Sequence, residues 1–206
     1  MNPIITAITQ FIINGISSHG YWGIGVMMAI ESASVPLPSE IIMPFAGFLV
    51  AQGRFSLLGV ALAGTLGCVV GSVIAYAVGI WGGRKFIEKY GKYILISHHD
   101  LNIADNFFNK YGSSAIFFSR LLPVIRTFIS LPAGIAKMNF NKFVIYTFLG
   151  SLPWCLALAY LGKKLGDHWD VLGAYFHKFD FVIGIIILLC GVWYIWRHIK
   201  QIKNKN

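Results

Sequence analysis

The chain has 206 residues, 56% of them hydrophobic and 12% charged, with a formal net charge of +9 and a mean hydropathy of +0.67. That balance excludes a soluble globular domain and a disordered chain, and leaves an integral membrane protein. The Lys and Arg residues flank apolar stretches and no soluble basic segment remains to hold a duplex, so nucleic acid is excluded and anionic lipid is the expected partner.

In chain order, Pro3 to Ile16 is apolar but too short to span, and reads as an interfacial or partly buried helix ending near Gly20. Met1 to Gly20 holds no Lys or Arg, so it lacks the basic region of a secretory signal and is expected to stay in the mature protein. Tyr21 to Ala33 and Ser39 to Ala51 are apolar arms separated by Val35-Pro36-Leu37-Pro38. Each arm, about 13 residues or about 20 Å of helix, enters a bilayer without crossing it. Two prolines one residue apart disfavour a continuous helix, so residues 21–52 are expected to form a re-entrant hairpin. Backbone freed at that depth needs protein or water around it, which implies a polar cavity.

A first span is predicted over 55–80, bounded by the basic pair Arg84-Lys85. Ser97 to Gly112 has an N-cap pattern and one apolar face, the signature of an amphipathic interfacial helix. Residues 113–136 repeat the broken pattern, with Pro123 and Pro132 on either side of Arg126, and a second re-entrant hairpin is expected there. A second span follows over 143–161 and a third over 179–198.

The two broken stretches and their spans form an expected internal repeat, residues 20–83 and 97–166, within a single membrane domain of 1–206. Ala46-Gly47 matches Ala133-Gly134, and Gly67 to Gly79 matches Gly150 to Gly162 in separation. Pro36, Pro38, Pro123, Pro132, Gly47 and Gly134 are the residues expected to shape the hairpins. One full crossing between the units makes them inverted, an arrangement found in transporters with a site near the midplane. The fold expected is therefore all-α and integral to the membrane. The positive-inside rule assigns the more basic segments, 84–112, 137–142 and the tail after Trp196, to the cytoplasm, with the C-terminus inside and the N-terminus outside.

Four charges lie within this apolar sequence: Glu31 and Glu40 in the first hairpin, Arg120 and Arg126 in the second. Ionisable groups at bilayer depth cost about 3 kcal/mol each on insertion scales and mark substrate or ion pathways. If the inverted units face each other, two carboxylates oppose two guanidiniums. Arginine keeps its charge and offers a planar fork suited to phosphate or carboxylate oxygens, whereas a buried glutamate can take up and release a proton. Glu40 is expected to be the principal acid, with Glu31 nearer the outer mouth. The competing reading is a pair of structural salt bridges, which are weak stabilisers.

The remaining polar motifs carry less. His98-His99-Asp100 reads as a solvated helix cap, and the glycine pairs Gly67/Gly71 and Gly79/Gly83 as close helix contacts. Cys68, Cys155 and Cys190 fall in three different spans and read as small core residues; no metal site or cofactor is expected. The six tryptophans, Trp154 among them, read mostly as interfacial anchors near span ends.

Arg120, Pro123 and Arg126, followed by Ala133-Gly134 and Met138, fit the R-x-x-P-x-x-R, A-G and M signature of the DedA family, also called the VTT or SNARE-associated domain. Glu31, Pro36-x-Pro38-Ser39-Glu40 and Ala46-Gly47 resemble its first-hairpin motif, and the resemblance covers most of 20–165. The chain departs from that pattern where the family often has glycine in place of Ser34 or Ser39. The resemblance implies a bacterial inner-membrane protein similar to lipid scramblases, of the kind implicated in returning undecaprenyl phosphate across the membrane or in proton-dependent transport. It implies phosphate binding by Arg120 and Arg126 and proton or charge coupling through Glu40 and Glu31, in support of cell-envelope synthesis, with homo-oligomers compatible. A proton-dependent solute or ion transporter and a non-transporting envelope scaffold remain the alternatives. An intramembrane phosphatase is disfavoured because no histidine lies in the sequence around the arginines, and the chain is read as a non-enzyme.

Overall fold

Glycine-rich, apolar sequence folds here into helices throughout the described residues. The structure, a computed structural model, describes residues 3–35, 37–83, 112, 114–122 and 125–166. The chain divides into two units, Met1–Gly166 and Asp167–Asn206, and the described residues belong to the first. The expected third span, the amphipathic helix over 97–112, Cys190, Pro36 and Pro123 lie outside them.

The helices are α1 (Pro3–His19), α2 (Tyr21–Ser32), α3 (Ser39–Ala51), α4 (Leu57–Val78, continued by a π-helical turn Gly79–Gly83), α5 (Ser114–Arg120), α6 (Ile125–Phe128), α7 (Ser130–Ile135) and α8 (Phe140–Leu165). The segments Leu57–Gly82 and Phe140–Leu165 are long and apolar enough to cross a membrane. Their starts are set by side chains: Ser56 accepts from the Gly59 N–H at 3.1 Å, and Asn139 from the Lys142 N–H at 3.1 Å, each relieving an N-terminal donor. On α4 the residues Leu58, Leu66, Val70, Ile74 and Val78 form an exposed apolar stripe. Water penalises so continuous a stripe and lipid does not, which fits a membrane protein.

Three helices end alike. At the end of α2 the Val35 N–H donates to Ile30 and the Ser34 N–H to Glu31; at the end of α3 Arg54 donates to Leu49 and Gly53 to Val50; at the end of α7 Met138 donates to Ala133 and Lys137 to Gly134. These are Schellman closures, which need a left-handed residue just past the helix. Gly53 fills that position at φ +76°, while Ser34 and Lys137 fill it at +74° and +51°.

The chain between α1 and α4 begins and ends at one place. Tyr21 stacks on Phe55 with ring centroids 4.8 Å apart, its hydroxyl accepts the Ser56 N–H at 2.9 Å, and Arg54 donates to the Ser17 carbonyl at 2.7 Å. Within this segment α2 runs parallel to α4, their backbones meeting at Gly25 with Gly67 and Ala29 with Gly71. The second broken segment runs likewise beside α8: Ala115 and Ile116 share a core cluster with Phe143, and Arg120 lies over Gly150.

Each returning arm packs on the long helix that follows the other broken segment, and the two contacts are reciprocal. A Cβ on Gly47 of α3 meets the Ala159 carbonyl of α8, and one on Gly162 meets the Pro44 carbonyl. A Cβ on Gly134 of α7 meets the Tyr76 carbonyl of α4, and one on Gly79 meets the Leu131 carbonyl at 2.5 Å. Both contacts are antiparallel. Gly47 and Gly134, expected to shape the hairpins, sit inside helices at these close approaches. Beside the second contact Tyr76 stacks on Phe143 at 4.6 Å and donates its hydroxyl to the Met138 carbonyl.

Candidate functional site

Glu31 occupies the last turn of α2 and is 5% exposed; Arg120 ends α5 at 2% and Arg126 lies in α6 at 3%. A carboxylate and two guanidiniums are therefore enclosed together. Arg126 Nη2 donates to Glu31 Oε2 at 2.5 Å, an ion pair that joins the first broken segment to the second.

Arg120 makes no ion pair among the described residues. Its Nη1 donates to the Arg126 carbonyl at 2.8 Å and its Nη2 to the Ser130 hydroxyl at 2.7 Å, with the Thr147 hydroxyl at 3.5 Å. Those bonds tie α6 and the start of α7 to the guanidinium, so Arg120 holds Arg126 in position through its backbone. Glu40 makes no ion pair among the described residues: within electrostatic reach of Glu31, it is half-buried in the first turn of α3, where it accepts from the Ser39 hydroxyl at 3.2 Å. The sequence suggests two opposed acid–arginine pairs led by Glu40; the structure forms one, and Glu31 makes it. The cluster consequently holds two cations against one anion.

One face of α8 supports both arginines. Thr147 accepts from Arg120, and at Gly150 a Cβ lies 2.8 Å from the Arg120 Cβ, so only glycine lets that side chain lie flat on the helix. One turn further on, the Trp154 ring lies beneath Arg126, its centroid 5.2 Å from the guanidinium carbon, in cation–π range. Trp22 and Trp81 are 83% and 82% exposed, as membrane anchors are. Trp154 departs from that reading, being half-buried near the middle of α8 with its indole nitrogen wholly enclosed.

Ser130, Thr147, Gly150 and Trp154 are the site residues that sequence reasoning missed. A signal for the last three exists: small or polar residues recurring at helical spacing along a span, on the face opposite its aliphatic residues. Of the hairpin-shaping candidates, Pro38 precedes α3 in extended conformation and Pro132 lies in the first turn of α7, positions where the missing N–H does no harm. Cys68 and Cys155 are buried free thiols, and no cluster of metal-ligating side chains occurs among the described residues.

Comparison with known proteins places this geometry in a family. The VTT domain matches residues 37–164. Among curated proteins, the uncharacterised membrane protein YkoX of Bacillus subtilis is 43% identical, with 89% of this chain and 81% of that protein covered. Undecaprenyl phosphate transporter A of the same organism is 41% identical over 77% of this chain and 78% of its own length. An alkaline phosphatase-like protein of Lactococcus lactis is 35% identical, covering 96% of each. No solved structure matches the chain. On the extent of these matches, and with the arginine signature intact, the chain belongs to the DedA family of VTT-domain membrane proteins.

Proposed function

We propose that this protein carries a polyprenyl monophosphate, of the undecaprenyl phosphate type, across the bacterial cytoplasmic membrane. The observation that carries the reading is the enclosed excess of cation: two buried arginines, one of them held by a single carboxylate contributed from the other broken segment. Buried charge is expensive unless compensated, so a cluster left one charge positive attracts an anion. An arginine fork suits the oxygens of a phosphomonoester. The naming of one relative as an undecaprenyl phosphate transporter supports that choice of lipid.

In this mechanism the two broken segments are re-entrant hairpins that meet near the bilayer midplane, with the C-terminus cytoplasmic. The shared start and end point of the first segment supports that geometry. Glu31 acts as a built-in competitor for Arg126. When the phosphate arrives the carboxylate gives way, and when the phosphate leaves on the far side Glu31 reclaims the guanidinium. A proton taken up by Glu31 frees Arg126 for the lipid, which is the route by which a proton gradient drives the cycle. Glu40, at the start of α3, lies on the path by which that proton enters.

The test is transport of a labelled polyprenyl monophosphate in proteoliposomes, with inorganic phosphate measured in parallel. Arg126→Gln should slow transport roughly tenfold to a hundredfold, the loss of one charge-assisted contact. Wild-type transport by a correctly inserted Arg126→Gln protein contradicts the proposal. Release of inorganic phosphate in place of intact lipid favours hydrolysis, the activity that the name of the Lactococcus relative suggests for that protein.

A further inference from the structure

Two enclosed donors of the arginine cluster have no acceptor among the described residues: the Nε–H of Arg120 and the indole Nε1–H of Trp154. Buried donors in folded proteins are almost always satisfied, and those that are not mark places where a missing partner belongs. Both orphans adjoin Arg126. Arg120 donates to the Arg126 carbonyl, and the Trp154 ring packs against the Arg126 guanidinium. Arg120 is not free to turn elsewhere, being pinned by Ser130 and the close approach at Gly150. The Ser72 hydroxyl on α4 is also unpartnered, but no contact ties it to the arginines.

We propose that Trp154 is a ligand-binding residue, whose indole N–H donates with the Arg120 Nε–H to the phosphoryl oxygens of an anion drawn to Arg126. The inference rests on the phosphate reading above and adds a selectivity rule. A phosphomonoester has three non-bridging oxygens, enough to meet Arg126, Arg120 and Trp154 separately. A phosphodiester lipid has two and a single charge, so although each oxygen accepts more than one hydrogen bond, it meets donors converging from three side chains less well. Trp154 therefore lets the site choose a lipid monophosphate over the phosphodiester lipids that surround it in far greater number. An indole N–H donates and never accepts, so only an acceptor such as a phosphoryl oxygen satisfies it.

The experiment compares wild type, Trp154→Phe and Arg126→Gln in nanodiscs, measuring affinity for a polyprenyl monophosphate and for phosphatidylglycerol. Trp154→Phe keeps an aromatic ring under Arg126 and removes the N–H together with the rest of the indole's five-membered ring. It should lose roughly tenfold in monophosphate affinity with little change for the diester, while Arg126→Gln loses both. Wild-type selectivity in Trp154→Phe, alongside lost binding in Arg126→Gln, overturns the role of Trp154 and leaves the phosphate reading standing; the orphan donors are then hydrated. Absence of monophosphate binding to wild type overturns both. If Trp154→Phe proves unstable, wild-type protein labelled with 5-fluorotryptophan decides the matter. The Trp154 resonance should shift on adding the monophosphate and not on adding phosphatidylglycerol, and an unmoved resonance at saturating monophosphate overturns the inference.

Discussion

Glu31 sits where a helix least favours an acid, in the last turn of α2, whose carbonyls present the negative end of the helix dipole. Burial adds to the cost, and Arg126 at 2.5 Å is what offsets both. Removing either partner strands the other, so Glu31→Gln and Arg126→Gln should each destabilise by about 3–5 kcal/mol, whereas the double variant should recover much of that loss. Thermal unfolding in detergent across the four proteins measures the coupling, and strictly additive effects contradict a coupled pair. At Ser34 the strain is of the backbone: a left-handed serine, φ +74°, closes α2 where Gly53 closes α3. Ser34→Gly should stabilise by about 0.5–1 kcal/mol and Gly53→Ser should destabilise by a similar amount, checked by the same unfolding measurement. The departure from glycine noted in the sequence thus falls on a residue whose conformation favours glycine.

At the scale of elements, the sequence reading located the arms of the first broken segment within a residue. It predicts arms over 21–33 and 39–51, and the helices are Tyr21–Ser32 and Ser39–Ala51. Proline and the left-handed closure are local signals, which is why they were legible. The second long helix runs further than the predicted 143–161, from Phe140 to Leu165, because Asn139 caps it early and the basic pair Lys163-Lys164 continues it. The second broken segment is cut into three helices, the first break coming in the turn after Arg120, where the Leu121 and Leu122 N–H groups fold back to Phe118 and Ser119. What local sequence does not carry is which helix meets which. Gly47, Gly79, Gly134 and Gly162 matter because α3 rests on α8 and α7 on α4, and a side chain at any of them meets backbone. Alanine at each should cost about 1–3 kcal/mol of stability. Gly82→Ala, with nothing within 4 Å, is the control and should unfold as wild type.

On the scale of the whole molecule, the cross-packing gives each broken segment the long helix after the other as its support, so the arginine cluster draws on both segments at once. That explains the uneven legibility of the site. The charges themselves stand out in apolar sequence, and three of the four meet. Their pairing depends on how α2 ends relative to α6, a tertiary fact, so Glu31 and Glu40 exchanged the ranks expected of them. Trp154 was read as a belt residue because position along a span does not reveal what a side chain faces. In the proposed function the enclosed arginines bind an anionic lipid head group. Native mass spectrometry of purified wild type and an Arg120→Gln/Arg126→Gln variant, titrated with a polyprenyl monophosphate, tests it most directly. Saturable binding to wild type and an affinity roughly a hundredfold weaker in the variant are expected; equal binding by a variant that elutes as the folded protein contradicts the proposed role of the arginines.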